Sequence, residues 1–117
     1  TMVFNEKGEL MLITGSPGGS LIPAAILRVI TGVIDFDLDI GQATMLPRVH
    51  KDWPTTGILY ERTLNSDVVR IINKRIGHKM TSEHTMGSTQ SIHINNQTNY
   101  GFADLRRPNA SVSVQTN

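Results

Sequence analysis

Apolar and polar residues at the start of the chain follow the pattern of two short strands joined by a turn. Residues 2–4 and 10–14 are rich in residues that favour extended backbone, and Asn5-Glu6-Lys7-Gly8 between them has the composition of a tight turn. The pattern therefore predicts a β-hairpin at this end of the sequence.

A much longer apolar stretch covers residues 21–34, where only Arg28 and Thr31 are clearly polar. Ser20 precedes it with a side chain suited to an N-cap, and Pro23 lies in the first turn, where a missing N–H costs little. A helix that is apolar on nearly every face is buried on more than one side. We therefore predict a long buried helix, packed between a sheet and a further layer.

Shorter elements follow along the rest of the chain, each marked by its periodicity or by a cap. In chain order we predict a helix at 39–46 ended by Pro47, a loop at 47–56 that holds Trp53, a strand at 57–62, a helix at 67–76, a strand at 78–81, a polar loop at 82–89, and a final hairpin of 90–94 with 100–103. Residues 108–117 are polar and are expected to fray. Together these elements predict one α+β domain over residues 1–117, with antiparallel strands and a long buried helix.

The bulk composition narrows the class of protein. Hydrophobic residues make up 38% of the 117 residues and charged residues 18%, which is typical of a folded globular chain. The net charge of +1 and the scattered basic residues argue against nucleic acid as a partner. The sequence has no cysteine, which excludes disulfides and thiolate sites, and no apolar run long enough to span a bilayer. The abrupt opening Thr1-Met2-Val3-Phe4 resembles the middle of a strand, so we expect a fragment of a longer protein.

The segment Thr14-Gly15-Ser16-Pro17-Gly18-Gly19-Ser20 lies between a predicted strand and the long helix. Consecutive glycines allow positive φ angles, and backbone amides at a helix N-terminus favour negative charge. The segment lacks the lysine of a phosphate loop, the glycine spacing of a dinucleotide fingerprint and the leading glycine of a nucleophile elbow. Two interpretations stay open from the spacing alone: a double-glycine amide donor of the oxyanion-hole type, and a plain tight turn.

Other candidate groups have simpler interpretations. Thr1 has the chemistry of an N-terminal nucleophile, yet a strand residue is the better explanation. The aspartates at 35, 37 and 39 lack the longer loop and the final glutamate of a calcium site. The histidines lack the spacing of metal ligands; these are His50, His78, His84 and His93. We therefore expect no metal and no cofactor.

The glycine segment resembles the signature of the γ-glutamyltransferases, also called γ-glutamyltranspeptidases. Further matching residues follow in chain order: Thr1-Met2-Val3, Ala43-Thr44, Pro47-Arg48, His50, Met86-Gly87-Ser88-Thr89-Gln90-Ser91-Ile92, and Tyr100-Gly101 ahead of Asp104 and Arg106. The match covers nearly the whole chain and is similar to the C-terminal part of the small subunit of the bacterial enzymes. Asp104-Leu105-Arg106 departs from the usual Asp-Pro-Arg of the family, which puts only a local turn in doubt.

The resemblance implies part of an N-terminal nucleophile hydrolase with a four-layer αββα core. In that family the precursor cleaves itself, and the new N-terminal threonine attacks the γ-glutamyl amide of glutathione before the acyl group passes to water or to an amine. Carried over by motif, the backbone N–H groups of Gly18 and Gly19 form the oxyanion hole. The nucleophile motif, of Thr-Thr-His type, and the serine pair that holds the substrate carboxylate lie upstream in the family and have no match here. Thr1 is therefore not the nucleophile, and we expect this fragment alone to be inactive.

The partners that the resemblance implies are the rest of the small subunit, the large subunit of the same precursor and γ-glutamyl substrates such as glutathione. No residue of this chain is assigned to substrate binding. The family implies a periplasmic or extracellular location, which the chain itself does not indicate. Two alternatives stay open: a cephalosporin acylase or polyglutamate transpeptidase on the same scaffold, and a non-catalytic module whose glycine turn is purely structural.

Overall fold

The computed structural model describes residues 1–54, 57–96 and 98–113 and divides the chain into two compact units. The first unit combines Thr1–Leu46 with Gly87–Asn117, and the second consists of Pro47–Met86. The single domain over residues 1–117 stays a prediction. Helices and sheets are both present, as expected for the α+β class.

The first unit contains a four-stranded antiparallel sheet. With strands numbered along the chain, its order is β1 (Met2–Phe4), β2 (Leu10–Gly15), β6 (Gln90–Asn95) and β7 (Thr98–Ala103). Neighbouring strands are antiparallel throughout, so both predicted hairpins are confirmed. The strands β2 and β6 lie side by side although 74 residues of chain separate Gly15 from Gln90.

The β1–β2 hairpin is stabilised by the side chain of its first turn residue. The Asn5 side-chain oxygen accepts hydrogen bonds from the backbone N–H groups of Lys7 and Glu9, at 3.0 and 2.9 Å. Gly8 closes the turn with a φ of +78°, a conformation that costs other residues free energy. The turn chemistry visible in the sequence therefore determines this hairpin.

The long apolar stretch begins with a 3₁₀ turn, Gly19–Leu21, and continues as α1, Ile22–Ile34. The predicted N-cap at Ser20 is wrong, because the 3₁₀ turn shifts the helix start so that Leu21 occupies the N-cap position, without a capping side chain. Pro23 lies in the first turn as expected. Burial on more than one side is not confirmed, since Leu27 is 60% exposed and Ile34 is also exposed.

The core of the first unit lies between the sheet, α1 and a short second helix. That helix, α2, spans Ile40–Met45, and Asp39 and Gln42 form a capping box at its start. The buried cluster consists of Leu12, Val29, Val33, Ile40 and Ala43. The two helices pack so closely that a Cβ atom added to Gly32 would come within 2.8 Å of the Ala43 Cβ. Glycine at this position therefore sets the distance between the helices.

The second unit contains a small three-stranded sheet and one helix. The strands β3 (Val49–His50), β4 (Gly57–Glu61) and β5 (Lys79–Glu83) are joined in that order, with the helical segment α3 (Ser66–Ile71), extended by a π-helical turn (Ile72–Ile76), between β4 and β5. The strands β4 and β5 are parallel, which corrects the expectation of antiparallel strands. The helix between them is the reason, because a crossover returns the chain in the same direction.

Two further expectations for the second unit need correction. Residues 47–56 were expected to form a loop, but Val49 and His50 pair with β4, and a two-residue strand is too short to leave a periodic signal. Thr55 and Thr56 of that segment lie outside the described residues. The strand predicted at 78–81 extends from Lys79 to Glu83, so the loop predicted at 82–89 begins later. The helix predicted at 67–76 is present, with no buried residue between Ser66 and Ile76.

The predicted frayed tail is described only as far as Ser113, and residues 114–117 lie outside the described part. Residues 108–113 contain no helix or strand. Val112 nevertheless packs over β7, so closely that a Cβ atom added to Gly101 would come within 2.7 Å of its methyl group.

Candidate functional site

The glycine segment leaves the sheet at the end of β2 and enters the helical layer through the 3₁₀ turn. Gly18 has a φ of +139° and Gly19 a φ of +58°, so both have backbone conformations that favour glycine. The Gly18 carbonyl accepts a hydrogen bond from the Leu21 N–H at 3.1 Å. Within the described ranges, no hydrogen bond from the N–H of Gly18 or Gly19 to a protein acceptor is found. Two adjacent amides are thus available to a ligand at the start of a helical turn.

The second glycine-led motif packs directly against the first. Gly87 has a φ of +70°, and its Cα lies 3.6 Å from the position that a Cβ on Gly18 would occupy. Next to it, the Ser88 N–H donates a hydrogen bond to the Ser16 hydroxyl at 3.0 Å. The Ser16 hydroxyl in turn donates to the carbonyl of Pro17 at 2.7 Å. The two motifs singled out in the sequence therefore form one structural site.

A buried pair of hydroxyls joins the strands beneath this site. Thr14 and Ser91 face each other across β2 and β6, with 2.8 Å between their side-chain oxygens. Both residues are almost fully buried. The pair holds β2, which leads into the glycine segment, against β6, which follows Gly87 and Ser88.

A charged cluster adjoins the second glycine-led motif at Thr89. Asp104, with no exposed surface, accepts hydrogen bonds from the Thr89 N–H at 2.9 Å and from the Arg106 N–H at 3.0 Å. The Arg106 guanidinium lies 3.2 Å from the Asp104 carboxylate and also donates to the carbonyls of Thr44 and Leu46, at 2.8 and 2.9 Å. Arg106 thereby satisfies carbonyls at the C-terminal end of α2 and ties that helix to the end of β7.

The turn that begins at Asp104 forms without the proline that is usual in the family. The Arg107 N–H reaches the Asp104 carbonyl at 3.4 Å, and the Asp104 carboxylate accepts the Arg106 N–H. Leu105 between them is 69% exposed, so its side chain is not needed for the turn. The Asp104 carboxylate thereby fixes the backbone of this turn.

The second unit has a buried charged cluster of its own. The Glu61 carboxylate accepts hydrogen bonds from the backbone N–H groups of Arg48 and Met86, at 3.0 and 2.8 Å. The Arg48 guanidinium donates to the Met86 carbonyl at 2.6 Å. Arg48 and Glu61 are both nearly inaccessible to solvent. Nearby in sequence, His50 lies 2.8 Å from the carboxylate of Asp52.

Comparison with known proteins identifies the family to which these motifs belong. The model of the γ-glutamyltranspeptidase family matches residues 1–114. The glutathione hydrolase proenzyme of Escherichia coli strain K12 is 35% identical over 102 residues, which cover 86% of this chain and 17% of that protein. That of Bacillus subtilis strain 168 is 31% identical over 117 residues, covering 97% of this chain and 19% of that protein. The chain belongs to the γ-glutamyltranspeptidase family.

A solved structure agrees with this assignment. The γ-glutamyltranspeptidase from Pseudomonas nitroreducens, in complex with L-DON, superposes with a TM-score of 0.85 at 28% identity, covering 98% of this chain and 61% of that chain. Members of this enzyme family thus share the fold described here. The chain spans less than a fifth of the length of either curated relative above.

Several matched residues of the γ-glutamyltranspeptidase pattern have a structural explanation that the sequence did not provide. Thr44 offers its carbonyl to Arg106, and Arg48 binds the chain at Met86. The sequence shows Ser16 only as part of the glycine segment and does not indicate its two hydrogen bonds. The one signal for Ser16 in the sequence is a serine before Pro-Gly-Gly. Its partner Ser88 lies 72 residues away, so no local pattern indicates the contact.

Two groups of candidates do not contribute to the glycine site. Thr1 lies one residue before β1, and its backbone bonds to that of Thr14: its amino group donates to the Thr14 carbonyl at 2.9 Å, and its carbonyl accepts the Thr14 N–H at 3.0 Å. In the described part of the chain, no three His, Asp or Glu side chains are grouped so that they could hold a metal ion.

None of the helices in the described ranges combines the length and apolarity needed to cross a bilayer.

Proposed function

We propose that this chain supplies the oxyanion-binding part of a γ-glutamyl acyl-transfer site in a longer γ-glutamyltranspeptidase. When a nucleophile attacks the γ-glutamyl amide, negative charge develops on the carbonyl oxygen. The N–H groups of Gly18 and Gly19 donate hydrogen bonds to that oxygen, and the helical turn behind them adds its dipole. The observation that carries the proposal is the pair of adjacent glycine amides that donate to no protein acceptor within the described ranges.

The reaction needs groups that we assign to the remainder of the longer protein. A threonine exposed by self-cleavage attacks glutathione, forms the acyl-enzyme and releases cysteinylglycine, and the acyl group then passes to water or to an amine. The chain alone is inactive in this proposal, because it supplies the charge stabilisation and not the nucleophile. The word proenzyme in the names of the two curated relatives is in keeping with such processing.

Exposed apolar surface on both sides of the first unit supports the four-layer αββα architecture. Met2, Ile13 and Ile92 lie opposite one another across three strands, on the sheet face away from Leu12. Met2 is 64% exposed and Ile92 42%, which is a large apolar area to leave uncovered. We infer that a second sheet covers this face and that a further segment covers the exposed side of α1.

The proposal is tested by substituting Gly19 in the full-length protein. A Cβ atom at this position meets nothing within 4 Å, although the φ of +58° makes any substitution strained. We expect Gly19→Leu to fold and to lower kcat by about 10²–10³-fold, because it displaces an oxyanion donor. The assay measures release of an aniline from a γ-glutamyl anilide, with melting temperature as the check on folding.

Gly8→Leu is the matched control for this substitution. Gly8 also has a positive φ, +78°, and open space around its Cβ position, but it lies in the hairpin turn at the other end of β2. The backbone strain is therefore similar and the distance from the site is large. Turnover close to wild type in Gly19→Leu contradicts the oxyanion role. Preference for an acylated β-lactam over the γ-glutamyl anilide would instead indicate an acylase on this scaffold.

A further inference from the structure

We infer that Ser16 is the positioning residue for the first oxyanion donor, because its hydroxyl sets the direction of the Gly18 N–H. The inference rests on the proposed function and adds to it a residue that does not itself touch the substrate. Ser16 acts on the peptide unit that joins Pro17 to Gly18. It binds the carbonyl oxygen of that unit, which points away from the N–H.

The geometry of a single peptide unit carries the argument. The carbonyl of Pro17 and the N–H of Gly18 belong to the same planar trans peptide and point in opposite directions. The Ser16 hydroxyl donates to that carbonyl at 2.7 Å, the usual length of such a hydrogen bond. Holding the carbonyl oxygen toward Ser16 therefore turns the Gly18 N–H away from it. Without this bond, the peptide between a proline and a glycine is free to rotate about its two flanking bonds.

The contact with Ser88 decides which hydrogen bonds Ser16 makes. In loops, a serine hydroxyl commonly accepts the N–H two residues further along, which here is the Gly18 N–H itself. Instead, the Ser16 oxygen accepts the Ser88 N–H at 3.0 Å. Ser88 is 1% exposed, so this donor has a fixed position at the entry to β6. The bond to Ser88 thus holds the Ser16 hydroxyl toward the second motif, and no bond from the Gly18 N–H to it is found within the described ranges.

Gly87 provides the room for this arrangement. A Cβ atom at position 87 would lie 2.8 Å from the Ser16 hydroxyl oxygen and 3.4 Å from the Pro17 carbonyl oxygen. A larger residue would therefore displace the Ser16 hydroxyl, whose hydrogen bond orients the peptide. The three residues Ser16, Gly87 and Ser88 therefore act together, and the effect of each is transmitted to the Gly18 N–H.

The test uses Ser16→Ala in the full-length protein. We expect kcat for the γ-glutamyl anilide to fall by roughly 3- to 10-fold, the effect of one neutral hydrogen bond, with little change in KM. The reason is that the oxygen carries its full charge only in the transition state. A γ-glutamyl boronate, which forms a negatively charged tetrahedral adduct, should lose affinity by a similar factor, whereas free glutamate should not.

Two further variants separate positioning from a general loss of structure. Ser16→Thr keeps the hydroxyl and should restore most of the turnover. Ser91→Ala removes a different hydroxyl between the same two strands, without touching the peptide from Pro17 to Gly18, and should leave kcat near that of the wild type. If Ser16→Ala does not accumulate as folded protein, Ser16→Cys, of similar size and weaker as a donor, replaces it and should also lower kcat.

The possible outcomes distinguish this inference from the proposed function. Wild-type kcat and boronate affinity in Ser16→Ala, or in Ser16→Cys where that replaces it, overturn the positioning role. An equal loss in Ser91→Ala also overturns it, because the effect would then be one of strand packing. In both cases the result for Gly19→Leu still decides whether the oxyanion role stands.

Discussion

Two polar clusters in the first unit connect distant parts of the chain by different chemistry. Around the glycine segment the contacts join neutral groups. The Ser16 hydroxyl accepts the Ser88 N–H, and the Thr14 hydroxyl pairs with that of Ser91. Around Asp104 they involve a buried carboxylate and the guanidinium of Arg106. A neutral hydroxyl orients a peptide at small free-energy cost. A buried charge needs an opposite charge and hydrogen bonds, because without them it strongly destabilises the fold.

The difference indicates a division of roles within one sheet. The charged cluster joins the end of β7 to the end of α2 and thereby holds the frame of the unit. The neutral cluster lies next to amides that must remain available to a substrate. A strong charge beside those amides would compete with the oxyanion or attract its own counter-charge. We therefore expect the charged cluster to determine stability and the Ser16 hydroxyl of the neutral cluster to determine turnover.

The largest expected effect is on stability, from Asp104→Ala. The change leaves the Arg106 side chain and the Thr89 N–H without their carboxylate, at a site with no exposure. Breaking a buried pair in this way costs about 3–5 kcal/mol in the free energy of unfolding. The measurement is the shift in melting temperature and protease resistance of the full-length protein.

Asp67→Ala is the control for that substitution. Asp67 pairs with Arg70 at 2.8 Å, a distance shorter than that in the buried pair, but both side chains are more than half exposed. Its loss should change the free energy of unfolding by no more than about 1 kcal/mol. Equal effects of the two substitutions would contradict the structural role assigned to the charged cluster.

The next largest effect on stability is expected for Gly87→Ala, with Gly8→Ala as its control. Both have similar positive φ angles, so an alanine at either position adds similar backbone strain of about 1–2 kcal/mol. Only at Gly87 does the new Cβ meet other atoms, at 2.8 Å from the Ser16 oxygen. We expect Gly87→Ala to cost about 1–3 kcal/mol more than Gly8→Ala and to lower kcat as well. Unchanged turnover in Gly87→Ala would show that the two motifs are not coupled.

The smallest effect is expected for Thr14→Val. This change removes the hydrogen bond with Ser91 while keeping the shape of a side chain that is 2% exposed. The loss should be about 1 kcal/mol in stability, with kcat nearly unchanged. A fall in kcat comparable to that expected for Ser16→Ala would remove the distinction between hydroxyls that support the sheet and the one that orients the peptide.

Local elements were predictable where a short stretch of sequence contains its own stabilising groups. The hairpin at Asn5 and the helix start at Asp39 are examples, because each side chain binds backbone N–H groups within four residues. The two-residue strand at Val49 was not predictable, since it exists only through pairing with β4. Composition predicts Ser20 as the N-cap of α1, but a 3₁₀ turn that begins at the two glycines of positive φ shifts the N-cap to Leu21.

The sequence by itself determined the family and the two glycine-led motifs, because these depend on residue identity and spacing along the chain. Only the tertiary structure placed Gly87 against Gly18 and the Ser88 N–H on the Ser16 hydroxyl. Contacts between segments so far apart in sequence depend on the pairing of β2 with β6, and no local pattern specifies which strands become neighbours. The physical reason is that hydrogen bonds between distant segments form only after the core has packed, when their directions are already set by the surrounding fold.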